Sequence, residues 1–247
     1  MKILLELSYL GIGFSGYQVQ PGKDTVQSAI QDAIEAVYGE RYPVKGCSRT
    51  DAGVHALQYF ATYDTDKNIP TDKLPMALNS AIDRRIAVKS AHIVSDDFHV
   101  RHDVKEKEYE YLLRLSRIPD PFLVGRAWQF PKPIMADGIQ RMRAAAEAFV
   151  GTHDFSGFMS AGSDIADTHR TVGHLDIVED GDLVRIRISA DGFLYNMVRI
   201  IVGTLLDVAL GKIEPCDMVD IVASCERKRA GMTAPPDGLY LRRVEFL

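Results

Sequence analysis

Three polar side chains stand where their surroundings give them chemical leverage: Asp51, Tyr109 and Arg199. Asp51 lies in Gly46-Cys47-Ser48-Arg49-Thr50-Asp51-Ala52-Gly53-Val54-His55-Ala56, a carboxylate in a loop of small residues between two apolar runs. Gly46 and Gly53 bracket a tight reversal in which backbone can come close to a ligand, with Asp51 at its tip. The same residue types also build an ordinary turn or helix cap, where an aspartate accepts bonds from nearby amides. Arg199 sits in Asn196-Met197-Val198-Arg199-Ile200-Ile201-Val202-Gly203. An arginine in so apolar a helix needs a partner, because an unpaired buried charge costs several kcal/mol. A structural acid such as Asp207 would serve, as would a path for the guanidinium to the surface. Asp51 would serve too, and the pair would hold that carboxylate ionised and oriented as a nucleophile or base. Tyr109 reads either as a core tyrosine or as a platform for a planar base. Arg49 is either a surface cation or the group that fills the space left by a flipped-out nucleotide or clamps a phosphate.

Other chemistries find little support. The spacing of Gly11, Gly13 and Gly16 after a strand loosely matches a dinucleotide fingerprint. However, the next helix is announced only by Asp24 as N-cap with Gln27 three residues on, so the glycines open no helix that could hold a pyrophosphate. His92, His99, His102, His153, His169 and His174 fall in no zinc-ligand spacing, and no metal is expected. Neither a phosphate-binding loop of the G-x-x-x-x-G-K-S/T type nor a G-x-S-x-G elbow occurs. Cys47, Cys216 and Cys225 form no C-x-x-C pair and are odd in number, so all three are expected reduced.

The elements that must position these residues read as two α+β halves. Residues 2–10 make an opening strand, and a helix follows in which Val26, Ala29, Ile30, Ala33, Ile34 and Val37 recur at helical spacing before Gly39 ends it. A strand over 55–64, a helix from about 71 and a strand over 86–94 complete the first half, with the Asp51 loop inserted. From 107 to 115 the pattern alternates, setting Tyr109, Tyr111, Leu113 and Leu115 on one face and Glu108, Glu110 and Arg114 on the other. A helix over 134–149, two strands over 171–178 and 183–190 joined by an Asp-Gly turn, an apolar helix over 194–210, a short helix over 217–225 and a strand over 239–246 follow. The expected fold is α+β, with two similar halves, 1–105 and 106–247, packed through a shared or continuous sheet.

With 247 residues and 46% hydrophobic content the chain can bury a substantial core. Glu6 interrupts the opening apolar run before a signal-peptide core or a membrane span forms, so the protein is expected to be soluble and cytosolic. A net charge of −5 argues against a protein that coats nucleic acid nonspecifically. Local clusters remain in Arg84-Arg85, Arg141 with Arg143, Arg227-Lys228-Arg229 and Arg242-Arg243. Taken singly, each reads first as solvated surface.

Arg49-Thr50-Asp51-Ala52-Gly53-Val54-His55-Ala56 resembles the signature of the tRNA pseudouridine synthase A family. Further segments of the chain are similar to that family in order and spacing: Phe14-Ser15-Gly16 with Gln18, Thr25-Val26-Gln27, Ala77-Leu78-Asn79-Ser80, Phe98-His99-Val100-Arg101, Tyr109-Glu110-Tyr111, the stretch from Phe193 through Arg199 to Leu205, and Ala234-Pro235 with Gly238-Leu239-Tyr240-Leu241. Departures are Tyr17 where tryptophan is usual, Asn196 where histidine is usual, and Leu57-Gln58-Tyr59 where Leu-Gly-Gln is usual. The resemblance implies an enzyme that converts uridine to pseudouridine in the anticodon stem-loop of tRNAs, with no metal, no organic cofactor and no membrane. It implies a pseudouridine synthase fold with a largely antiparallel sheet and a cleft between the halves, in a homodimer. By position, Asp51 matches the catalytic aspartate, Tyr109 the active-site tyrosine, Arg199 the arginine paired with the aspartate, Arg49 the base-flipping arginine, and Arg101 a cation of the RNA-binding cleft.

Overall fold

The computed structural model describes residues 1–162 and 165–247. In chain order the elements are β1 (Lys2–Tyr9), α1 (Val26–Tyr38), β2 (Lys45–Gly46), β3 (His55–Asp64), α2 (Leu74–Ala81), β4 (Ile86–Val94), β5 (Val104–Leu115), β6 (Trp128–Phe130), α3 (Gly138–Ala146), β7 (Gly151–Asp154), β8 (His169–Asp180), β9 (Leu183–Ala190), α4 (Met197–Ala209), α5 (Met218–Ala223) and β10 (Leu239–Phe246). The chain divides into two compact units, Met1–Lys105 with Tyr240–Leu247, and Glu106–Leu239. The last strand therefore returns to the first unit, which the order of elements along the chain does not reveal. Among the described residues no helix is long and apolar enough to cross a membrane.

In the first unit the strands run in the order β4, β1, β3, β10, with β2 added to β3. The alternation of β1 is strict: Ile3, Leu5, Leu7 and Tyr9 are buried while their neighbours are half-exposed. β1 pairs antiparallel with both β3 and β4. β10 joins β3 in parallel, setting Tyr240 opposite His55 and Leu241 opposite Ala56. The start of α1 differs from expectation. Thr25, not Asp24, is the cap, and its side chain and that of Ser28 bond each other's backbone amides in a capping box. Gln27, expected to complete a box, instead accepts from the Val19 amide and donates to the Val44 carbonyl, tying α1 to the strand that leads into the Asp51 loop. Gly39 closes α1 at φ 74°, a left-handed C-cap suited to glycine.

In the second unit the strands run in the order β5, β9, β8, β7, all antiparallel, with β6 parallel to β5. Tyr109, Tyr111 and Leu113 of β5 are buried on one face as the alternation requires. The opposite face is also closed: Glu108 and Glu110 are only 6% and 5% exposed. Arg187 Nε reaches Glu110 Oε2 at 2.6 Å from the neighbouring strand, and His174 Nε2 lies 3.6 Å from Glu108 Oε2. Arg187 thus supplies the counter-charge that burial of Glu110 demands. α4 is buried along almost its whole length. Thr204 within it donates to the Ile200 carbonyl and accepts from the Gly231 amide, so its hydroxyl is satisfied on both sides. Both units are α+β with mainly antiparallel strands. β2, β6 and β7 were not anticipated; at two to four residues they are too short for periodicity to announce them.

Candidate active site

The Asp51 loop is fixed by buried contacts of the first unit. Thr50 carries two of them. Its Oγ1 lies 2.8 Å from Tyr9 Oη, and its carbonyl accepts from the Tyr17 amide at 3.0 Å. The Val54 amide donates to the Asp51 carbonyl at 3.1 Å, closing the turn, and Gly53 supplies the left-handed residue it needs at φ 81°. His55, fully buried, accepts from the Gly11 amide through Nδ1 at 2.9 Å, which places its ring proton on Nε2. Its ring lies over Tyr240 with centroids 4.5 Å apart.

The glycine-rich segment after β1 is therefore a cradle for this loop and not a nucleotide fingerprint. A Cβ on Gly11 would stand 2.1 Å from the Val54 carbonyl oxygen, and one on Gly16 2.8 Å from that of Thr50. Gly46 also has a different role from the ligand approach expected of it. A Cβ there would lie 2.2 Å from Tyr59 Oη and 2.5 Å from the Tyr17 ring, so the glycine makes room for a tyrosine stack. Tyr17 and Tyr59 lie 4.7 Å apart, Tyr59 also meets Tyr9 edge-on, and its hydroxyl donates to the Ser48 carbonyl. Burial pushes the Tyr59 and Tyr17 phenols well above the ordinary tyrosine range, so both remain protonated.

Beside this loop the first unit has a hollow of about 390 Å³, lined among others by Tyr17, Lys45, Arg49, His99, Arg101 and His102. Arg49 and Arg101, far apart in sequence, thus meet on one surface feature. Lys45, His99 and His102 were not singled out for a role by sequence reasoning, although His99 lies in the family-like segment Phe98-His99-Val100-Arg101. The arginine clusters read from the sequence are largely engaged elsewhere. Arg85 bonds Asp83 at 2.7 Å and covers the Phe14 ring, Arg141 bonds Glu214 at 2.9 Å, and Arg143 and Arg227 donate to backbone carbonyls.

Tyr109 and Arg199 belong to the second unit. Tyr109 is 7% exposed and meets Phe193 edge-to-face, with ring centroids 5.0 Å apart and planes at 85°. Arg199 is half-buried. Its Nε donates to the Ala234 carbonyl at 2.7 Å, its Nη1 donates to Asn196 Oδ1 at 2.7 Å, and its own carbonyl accepts from the Ala234 amide. Asp207, a candidate partner by sequence, is bound by Lys212 at 2.6 Å. Asn196 caps α4 at φ 62°, a left-handed conformation that asparagine tolerates, and donates to Ser160 Oγ. Segment 231–238 completes the frame. Gly203 lets the Met232 carbonyl pass within 1.8 Å of where a Cβ would be, and Tyr111 Oη donates to the Pro235 carbonyl at 2.7 Å. Burial pushes the Tyr111 phenol up, while the Arg199 charge pulls it partly back.

Residues 7–103 and 145–247 match the family described as tRNA pseudouridine synthase. The chain is 44% identical over 245 residues to a tRNA pseudouridine synthase A of Thermoanaerobacter sp. (strain X514), covering 99% of each chain. It is 42% identical over 248 residues to that of Bacillus subtilis (strain 168), covering 100% of this chain and 99% of the other, and 42% identical over 245 residues to that of Caldicellulosiruptor saccharolyticus, covering 99% of each. Among solved structures, a chain of a Cbf5-Nop10-Gar1 complex aligns with 96% of this chain, which spans 57% of that one, at 12% identity and a TM-score of 0.38, too loose a likeness to carry an argument. With a full-length likeness above 40% identity and an α+β architecture of the expected kind, the chain belongs to the tRNA pseudouridine synthase family and has the pseudouridine synthase fold.

Proposed function

We propose that the protein isomerises uridine to pseudouridine in tRNA, within the anticodon stem-loop, with Asp51 as its catalytic carboxylate. The observation that carries this reading is the likeness, along the whole chain, to enzymes named tRNA pseudouridine synthase A. The reaction breaks the bond between N1 of uracil and C1′ of the ribose, turns the base over while it stays bound, and joins C5 to C1′. The C5 proton is lost and N1 gains one, so no electrons are exchanged and no water is consumed. The chemistry calls for no metal and no organic cofactor.

In this reading ionised Asp51 attacks C1′, adds to C6 of the base, or removes the C2′ proton; all three routes need the same carboxylate held still, and the contacts of Thr50 and His55 support that. Tyr109, backed by Phe193, carries the uracil plane as it turns and assists loss of the C5 proton. Arg199, whose guanidinium is bonded to Asn196 and to the Ala234 carbonyl, is the arginine that keeps Asp51 charged in this reading. Arg49 fills the place of the flipped nucleotide, and Arg101 contacts the RNA backbone. Flipping costs a few kcal/mol, which backbone contacts offset. The protein acts as a cytosolic homodimer.

The test is release of tritium from tRNA labelled at C5 of uracil. Wild-type protein releases it, while Asp51→Ala keeps the fold and tRNA binding and releases none. No release by the wild type overturns the activity; appreciable release by Asp51→Ala overturns the role of Asp51.

A further inference from the structure

We infer that the hollow beside the Asp51 loop is a subsite for a second, unpaired nucleotide of the substrate RNA, adjacent to the one that reacts. The inference rests on the proposed activity and adds a binding site to it. Lys45, Arg49 and Arg101 line the hollow, and among the described residues none of these three has an acidic partner. Two other arginines of this unit are neutralised, Arg41 by Asp32 and Glu35 and Arg85 by Asp83. Cations held together without counter-charge repel one another, and an anion seated among them relieves that repulsion. A phosphodiester is the anion that an RNA strand supplies.

The shape and remaining chemistry favour a nucleotide over a bare phosphate. A volume of about 390 Å³ is within the range that holds a small organic ligand. His99 and His102, with ring centroids 6.1 Å apart, present imidazoles against which a base can stack. His99 Nδ1 is bonded to the Asp97 carbonyl at 2.6 Å, which fixes that ring. Gln18 adds an exposed amide able to bond a base edge, whereas the Gln27 amide is already committed to Val19 and Val44. Tyr17, also in the lining, is 3% exposed, and its hydroxyl is a buried polar atom without a hydrogen-bond partner among the described residues. Position completes the case. Arg49 is two residues from Asp51, at most about 7 Å of extended chain. A strand that delivers a uridine to Asp51 therefore carries its neighbouring nucleotide past the hollow.

The test uses the full-length protein, Lys45→Ala and His102→Ala, with uridine 5′-monophosphate and inorganic phosphate as probes. Ring proton signals of His99 and His102 are followed by NMR, and KM and kcat for tRNA by tritium release at several salt concentrations. The nucleotide should shift both histidine signals at lower concentration than phosphate does, and both substitutions should weaken it. Each variant should raise KM roughly two- to fivefold with kcat unchanged. Lys45→Ala should also flatten the log–log salt dependence of tRNA binding by about 0.7–0.9, the loss of one phosphate contact. A nucleotide that binds no more tightly than inorganic phosphate, or variants with unchanged KM and salt dependence, would overturn the subsite while leaving the isomerase intact. Nucleotide binding at these residues by a wild-type protein that releases no tritium would overturn the activity and uphold the subsite.

Discussion

Tyr9 Oη and Thr50 Oγ1 lie 2.8 Å apart inside the first unit, so the residue before the candidate catalytic aspartate is anchored to the end of the strand that opens the fold. Both side chains are buried, at 3% and 8% exposure, and no solvent competes for the bond. Tyr9→Phe leaves the Thr50 hydroxyl without this partner and is expected to cost about 1 kcal/mol of stability. Because the same residue orients the Asp51 turn, kcat should fall further than stability alone accounts for. A double-mutant cycle with Thr50→Val, read by urea unfolding and by tritium release, should give a coupling energy of about 0.5–1.5 kcal/mol. Additive effects would show that the bond does not hold the loop.

The close approach at Gly203 makes a second prediction. A methyl group there would stand 1.8 Å from the Met232 carbonyl oxygen, against backbone that cannot swing aside. Gly203→Ala should therefore destabilise the protein by about 2–3 kcal/mol, lowering Tm by about 5–10 °C. Gly22→Ala is the control. That glycine has φ +68° but nothing within 4 Å of the added atom, so only backbone strain of about 1 kcal/mol is expected. Equal effects of the two substitutions would remove close packing as the reason for Gly203.

The elements legible in the sequence were those with strong periodicity. β1, β3, β4 and β10 matched their apolar patterns to within a residue, and α4 was recognisable as a buried helix carrying a few polar groups. Asp51, Arg49 and Arg101 were marked by the family signature, but what fixes their loop was not. The Tyr9 to Thr50 bond, the Gly11 amide on His55 and the parallel register of β10 on β3 join residues between 41 and 185 positions apart, and local pattern carries no trace of such pairings. The capping box was misassigned because Asp24, Thr25, Gln27 and Ser28 offer overlapping choices, and only the backbone conformation of Thr25 decides between them. Alternation sets Glu108 and Glu110 on the face opposite Tyr109 but says nothing of Arg187 on the next strand, which reaches Glu110.

Arg199 offers a third prediction. Its guanidinium donates through Nε and Nη1 to two fixed acceptors, an arrangement that a lysine ammonium cannot reproduce from one nitrogen. Arg199→Lys should retain the fold and lose about 10- to 100-fold in kcat, the equivalent of one or two misplaced charge-assisted hydrogen bonds. Asn196→Ala frees Nη1 alone and should lose less. Near-normal kinetics of Arg199→Lys would show that its charge, without its planar geometry, is sufficient.

Acid stability supplies the last prediction. Asp154 lies at the end of β7, where its carboxylate accepts from the Thr168 hydroxyl at 2.6 Å and the Ser156 amide at 2.9 Å. These bonds, that to Thr168 foremost, lower its pKa from the usual 3.8 to about 2. A carboxyl group whose pKa is depressed by folding adds stability that is fully present above its unfolded value, and the contribution is lost as pH falls from about 4 through about 2. The group is only half-buried, so screening leaves it on the order of 1 kcal/mol at most. Asp83, drawn down to about 2 by its bonds to Arg85, titrates in the same window. Asp154→Asn should therefore be less stable than the wild type at pH 7, and the difference should shrink toward pH 2 in urea titrations. A difference that stays constant across that window would mean that the amide bonds as the carboxylate does and that ionisation of Asp154 contributes nothing.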